Sequence, residues 1–351
     1  MAESQAASTP AVVPGQPATM KDIADRVGVS IKSVSRVLNN ESGVSAKTAE
    51  RILEVSRELG FRRNDLARGL RRRTSDNTIG VVAQHTSARF FVDLIRGIEQ
   101  VAAEHDALML TATTPDPETE LAKLLALSSR RMDALIIVPR SPDQSFLRAE
   151  QAMGLPLVFV DQPPSGVVAD TIIADNEGGA REATAHLVGL GHRRIGVIGS
   201  GRDLYTVRHR VIGHRMALAD AGVADDDRLV RLDCTDEDAA AAATRDLLAS
   251  AEPPTALFAL SNRCAVGTAR ALRQAGRGHE VALIGFDDFD TADLFDPPLT
   301  VVAQDIEEMG RIAARRCLAR LAGEAAPPET IMLGTRLVVR ESGEIPGPHA
   351  G

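Results

Sequence analysis

Between residues 19 and 40 the apolar positions fall at Met20, Ile23, Ala24 and Val27, and then at Val29, Val34, Val37 and Leu38. Each set repeats at helical spacing, which predicts two short helices. Gly28 separates them, at a point where a left-handed turn costs glycine little. Thr19 and Asp22 have the spacing of a capping box, and Ser30 can cap the second helix. With the small Ala24 at the crossing, the stretch fits a helix-turn-helix better than an ordinary helical hairpin. Ser45 then starts a third helix, with Ala49, Ile52, Leu53, Ser56 and Leu59 on one face and Gly60 as its C-cap.

From residue 78 onward the pattern alternates. Apolar runs such as TIGVVA, ALMLTAT, ALIIVP, LPLVFVD, TIIADN, RIGVIGS, RLVRLD, TALFALS and VALIGFD read as strands. Helical segments lie between them, around residues 91–105, 117–129, 178–190, 208–221, 240–249 and 265–275. The strands show little polar alternation, as expected when both sheet faces are covered. This predicts an α/β chain of doubly wound parallel sheets. With about twelve strands expected, one sheet is too few.

Composition adds an asymmetry. The 351 residues carry a net charge of −8, yet residues 18–77 hold 13 Lys/Arg against 8 Asp/Glu, a local +5, and residues 78–351 carry −12. The basic end is therefore the one suited to nucleic acid. Residues 1–17, rich in Ala, Ser, Pro and Gln, read as a disordered tail. No apolar run approaches the ~20 residues of a membrane span, and no secretion signal is evident. Three scattered cysteines point to a reducing compartment, and we expect a cytoplasmic protein without membrane partners.

The words DIADRVGVS, SVSRVLNN and VSAKT, followed by GHRRIGVIG, VALIGFDDF and DPPLTVVAQD, resemble the lactose-repressor (LacI/GalR) family of bacterial transcription regulators. The resemblance runs to about residue 342 and leaves only the tails outside it. It implies a helix-turn-helix domain over 18–62, a hinge over 63–77 and an effector-binding and dimerisation domain over 78–342, with a tail over 343–351. The large domain would comprise two periplasmic-binding-protein-like subdomains, one of 78–174 and 305–333, the other of 175–304 and 334–342. Crossovers are expected near 175, 304 and 334, and helix 306–322 should join the first half.

By the same resemblance, DNA contacts fall to Thr19, Ser30, Ile31, Lys32, Ser33, Ser35, Arg36 and Asn39, with Ile31 and Lys32 at the main specificity positions. In the hinge they fall to Asn64, Ala67, Arg68 and Leu70, the last matching a family residue that wedges open a base step in the minor groove. The family often has Pro where this chain has Arg63. The implied partners are double-stranded DNA with a pseudo-palindromic operator, a second copy of the chain and a small sugar-like effector. No C-terminal heptad segment is present, which favours a dimer. The helix from about Phe91 is the expected dimer contact.

Ligands of parallel α/β sheets bind at the carboxyl ends of strands. The positions there are Arg89, Phe90, Phe91, Arg140, Asp161 and Asp287. The family comparison adds Arg210, Ser261 or Asn262, and Gln304, and Arg208 lies near them. The arginines rank a sugar acid or sugar phosphate slightly above a neutral sugar. GVIGSGRDL, residues 196–204, is a partial dinucleotide fingerprint with Leu204 at the third glycine position, and a plain glycine turn explains it better. We find no hydrolase elbow, no metal-ligand spacing and no cofactor loop, and expect no metal, no cofactor and no enzymatic activity. A sugar-binding protein or an enzyme on the same α/β fold is the alternative to a repressor, because fold alone does not separate them.

Overall fold

The computed structural model describes residues 19–38, 41–59, 77–84, 88–114, 117–129 and 132–349. The chain divides into two compact units, Met1–Ser75 and Asp76–Gly351.

The first unit is three helices, α1 (Met20–Val27), α2 (Ile31–Leu38) and α3 (Ala46–Glu58). The capping box at α1 is formed: the backbone N–H of Asp22 donates to Thr19 Oγ1 at 3.3 Å, and that of Thr19 to Asp22 Oδ2 at 2.7 Å. Gly28 ends α1 with φ +75°, the conformation that glycine adopts without penalty. The Ser33 N–H donates to Ser30 Oγ at 3.1 Å, capping α2. Ile23, Val34, Ile52 and Val55 are fully buried between the three helices. Here α3 differs from its expected face. Val55 enters the core and Leu53 is 40% exposed, because 52, 55, 56 and 59 follow the i, i+3, i+4, i+7 stripe and 53 lies one step round it. Gly60, the expected cap, lies outside the described residues.

The second unit contains two six-stranded sheets. The first has the order β11–β5–β4–β3–β1–β2, formed by β1 (Thr78–Gln84), β2 (Leu108–Thr114), β3 (Ala134–Ile137), β4 (Leu157–Val160), β5 (Asp170–Ala174) and β11 (Thr330–Leu333). The second has the order β12–β10–β9–β8–β6–β7, from β6 (Ile195–Ile198), β7 (Val230–Arg231), β8 (Ala256–Ala259), β9 (Ala282–Phe286), β10 (Thr300–Ala303) and β12 (Arg336–Val338). All pairings are parallel except β10 with β12. The helices are α4 (Ala88–Glu104), α5 (Pro117–Ser129), α6 (Arg148–Ala152), α7 (Asn176–Gly189), α8 (Tyr205–Asp220), α9 (Glu237–Leu248), α10 (Asn262–Gln274) and α11 (Ile306–Leu321). Apolar cores flank both faces of each sheet, which explains why β3, β4, β5, β8, β9 and β10 are buried throughout.

The chain leaves the first sheet after Ala174, returns after Ala303, and passes between the sheets again from Leu333 to Arg336. Helix α11 packs against α4 on the first sheet. Gly97 and Gly310 make that approach possible: a Cβ on Gly97 would collide with the Glu307 carbonyl, and one on Gly310 with that of Leu94.

Three strands, β10 to β12, have no counterpart among the runs named from the pattern. β11 and β12 lie at sheet edges and are half exposed. RLVRLD shrinks to the two residues of β7, because Asp227–Leu229 form a 3-10 turn capped by Asp226. The terminal segment packs against the end of α7: the Ile345 carbonyl accepts from His192 Nε2 at 2.9 Å, and the Gly347 N–H donates to Leu190 O at 2.8 Å. On the first sheet, Leu108, Leu110, Leu121 and Leu125 are exposed along β2 and α5. No helix among the described residues is long and apolar enough to cross a membrane.

Candidate functional site

In the N-terminal unit, α2 presents its first turn outward. Ile31 is 51% exposed and Lys32 is exposed, while Val34 and Val37 face the core. Ser33 and Ser35 are half-buried, and the Ser33 hydroxyl lies 2.9 Å from that of Ser30. Thr19 is exposed at the start of α1. Arg36 is one turn on from Lys32 and lies in the last turn of the helix, not at its start. Its guanidinium rests close against Gly43 in the loop to α3. Asn39, Asn64, Ala67, Arg68 and Leu70 lie outside the described residues.

In the larger unit, a cavity of about 120 Å³ lies at the carboxyl ends of both sheets. Seven of the expected residues line it: Phe90, Asp161, Arg210, Ser261, Asn262, Asp287 and Gln304. Asp161 follows β4 and Asp287 follows β9, equivalent strands of the two sheets. The equivalence extends to conformation. Both aspartates have φ +73°, and each donates its N–H at 2.9 Å to the neighbouring strand, Asp161 to Ile172 O and Asp287 to Val302 O. Asp tolerates this left-handed region better than most residues. Neither carboxylate caps a helix.

Arg210 is the buried centre of the site. Its Nε donates to Asn176 Oδ1 at 2.8 Å and its Nη1 to Leu260 O at 2.6 Å. Its Nη2 pairs with Asp287 at 3.6 Å, and its guanidinium carbon sits 3.6 Å from the centre of the Phe286 ring. Gln304 Nε2 donates to Asp287 Oδ1. The other amide atom, Gln304 Oε1, is buried without a hydrogen-bond partner among the described residues. Burial pushes the Asp161 carboxyl up to about 6; Arg210 opposes the rise and Asp287 adds to it. Ser261 is partly spent, since its hydroxyl accepts the Cys264 N–H at 3.3 Å as the cap of α10. The cavity can therefore supply acceptors at Asp161 and Gln304 to a ligand rich in donors.

Four expected residues are not in its lining. Arg89 pairs with Asp93 and Asp290. Phe91 packs into the core of the first sheet. Arg140 is exposed, held by its backbone N–H to Glu120 Oε2 at 2.5 Å. Arg208 is exposed on α8, since two residues of helix rotate it about 200° from Arg210. Conversely, the reading from sequence did not identify Gln162, Thr206 and Thr235, which line the cavity. Thr206 was accessible to it, one helical turn before Arg210. Gln162 follows Asp161 directly, so the strand-end rule extended by one position finds it. Asn176, which orients Arg210, comes from a distant crossover and carries no local signal.

Residues 19–64 match the family model described as bacterial regulatory proteins, lacI family, and residues 184–343 match a periplasmic binding protein-like domain. Among curated proteins the chain is similar to the HTH-type transcriptional regulator CelR of Thermobifida fusca, 33% identical over 93% of this chain and 98% of that protein. It is also similar to the HTH-type transcriptional repressor CytR of Escherichia coli K12, 31% identical over 93% and 96%. Among solved structures, a CelR–cellobiose complex superposes with a TM-score of 0.70 at 31% identity, covering 93% of this chain and 99% of that one. The lac repressor dimer bound to operator and the anti-inducer ONPF superposes with a TM-score of 0.79 at 27% identity, with the same coverage.

Proposed function

Because the chain belongs to the lacI family of bacterial regulatory proteins, we propose that it is a sequence-specific DNA-binding transcriptional repressor whose operator affinity is set by a small sugar-like effector. The single observation that carries this reading is the joining, in one chain, of a capped helix-turn-helix to an α/β unit with a polar cavity between its two sheets. The relatives are transcriptional regulators, and the alternative of an enzyme has no observation in its favour.

On this reading α2 lies in the major groove. Ile31 and Lys32 meet base edges or phosphate, and Arg36 leaves Gly43 to reach guanine. The hinge residue Leu70 wedges a base step in the minor groove. Two copies read a pseudo-palindrome. Their contact in the first half is the outer face of α4, where Val92 is exposed, with the leucine-bearing edge of β2 and α5 beside it. Asp161, Arg210, Asn262, Asp287 and Gln304 hold the effector. The ligand acts through its different affinity for two relative positions of the halves, which changes the geometry presented to DNA. A gel-shift screen of genomic fragments, with and without sugars, tests this. Selective retardation of a few fragments, altered by a sugar, supports it; uniform retardation of all fragments overturns it.

A further inference from the structure

We propose that Gln162 sets the size limit of the effector, restricting the cleft to neutral, hydroxyl-rich ligands of a single sugar ring. This rests on the effector reading above and adds a ligand class and a residue that enforces it. Gln162 lines the cavity and its side chain is held from both halves. Its Nε2 donates to Pro139 O at 2.9 Å on the side of the first sheet, and its Oε1 accepts the Tyr205 N–H at 3.3 Å, at the start of α8 on the second. The amide therefore lies across the cleft as a bar. The cavity it lines is about 120 Å³, on the scale of the ~150 Å³ cavity that holds a single benzene ring. That is on the scale of one ring after small adjustments and far short of two.

Charge and hydrogen-bonding capacity decide the chemistry. Arg210 donates to Asn176 and to Leu260 O, and its remaining nitrogen pairs with the Asp287 carboxylate at 3.6 Å. The other lining arginine, Arg263, is exposed at the rim and within electrostatic reach of Asp236. Against these stand the carboxyl groups of Asp161 and Asp287 and the unpartnered Gln304 Oε1. A sugar acid or sugar phosphate would bring its charge up to two carboxyl groups and a guanidinium whose charge is already paired with Asp287. A neutral ring brings hydroxyl donors to acceptors that lack them. Of the arginines that favoured an anion from sequence, Arg89, Arg140 and Arg208 are outside the lining; Arg210 and Arg263 line the cavity, the first paired with Asp287 and the second exposed at the rim, which weakens that preference.

The test is calorimetry on the full chain with D-ribose, D-glucose, gluconate, glucose 6-phosphate and cellobiose, repeated on Gln162→Ala and Gln162→Met. The wild-type chain should bind a neutral monosaccharide at least tenfold more tightly than cellobiose or either anion. Gln162→Ala should gain cellobiose affinity at least tenfold. Gln162→Met, which keeps the bulk and loses the hydrogen bonds, should still exclude cellobiose. Wild-type binding of cellobiose or an anion as tight as that of the monosaccharides overturns the proposal and leaves the effector reading standing, as does Gln162→Ala without gain. Absence of binding by all five, with the gel shift also unmoved, overturns both.

Discussion

Asp161 gives the sharpest quantitative consequence of the cleft. Its carboxyl is held at about 6 against an ordinary 3.8, chiefly by burial. A shift of about two units at ~1.36 kcal/mol each caps the effect at roughly 3 kcal/mol, and the part of the group open to the cavity reduces this to about 1–2 kcal/mol. The folded state binds the proton more tightly than the unfolded chain. The stability linked to this proton is therefore complete below pH 4, fades as the pH rises from 4 to 6, and is gone above 6. Asp161→Asn removes the titration and keeps the shape, and Asn accepts the φ of +73°. The variant should thus be about 1–2 kcal/mol more stable than the parent at pH 7.5 and lose most of that advantage by pH 4.5. The chain has no Trp and one Tyr, so urea unfolding is best followed by circular dichroism. The same change should weaken sugar binding about tenfold or more, because a hydrogen bond to a charged acceptor is worth about 1.5–3 kcal/mol. A variant less stable at pH 7.5, or a stability difference independent of pH, refutes the reasoning.

Arg210→Met should destabilise the α/β unit by about 3–5 kcal/mol, since it leaves Asp287 without its cation; adding Asp287→Asn should recover part of the loss in the same urea experiment. Gly97→Leu should prevent α4 from meeting α11 and yield an unstable or aggregated protein on size-exclusion chromatography, whereas Gly189→Ala, with open space around it and no left-handed φ, should fold. Arg36→Ala should remove a contact worth roughly 1–3 kcal/mol on the operator and leave salt-sensitive binding to random DNA intact; equal losses on both refute its role in base readout.

The first two helices of the N-terminal unit were legible because three local signals coincide there: the cap at Thr19, the turn at Gly28 and the apolar spacing. The parallel sheets were legible from uninterrupted apolar runs, and β11 and β12 were not, because short edge strands half in solvent lose that mark. In the cavity, Asp161 and Asp287 could be placed because strand ends are sequence-local. Arg89, Arg140 and Arg208 could not, because chemistry alone does not say which way a side chain turns. Arg208 and Arg210 differ by two positions, and only the helix makes one exposed and the other buried. The partners that hold Arg210, Asn176 and the Leu260 carbonyl, arrive from other crossovers and strands, so how its guanidinium is held emerges only in three dimensions.

The central claim is that a ligand held between the two sheets changes affinity for DNA. Fluorescence anisotropy of a labelled operator recovered from the gel-shift screen, titrated with the full chain with and without a saturating monosaccharide, measures that coupling. The account predicts a change of about 5–150-fold, equivalent to roughly 1–3 kcal/mol, that disappears in Asp161→Asn and keeps a stoichiometry of two chains per pseudo-palindrome. A sugar that binds by calorimetry while the operator affinity stays the same would contradict it.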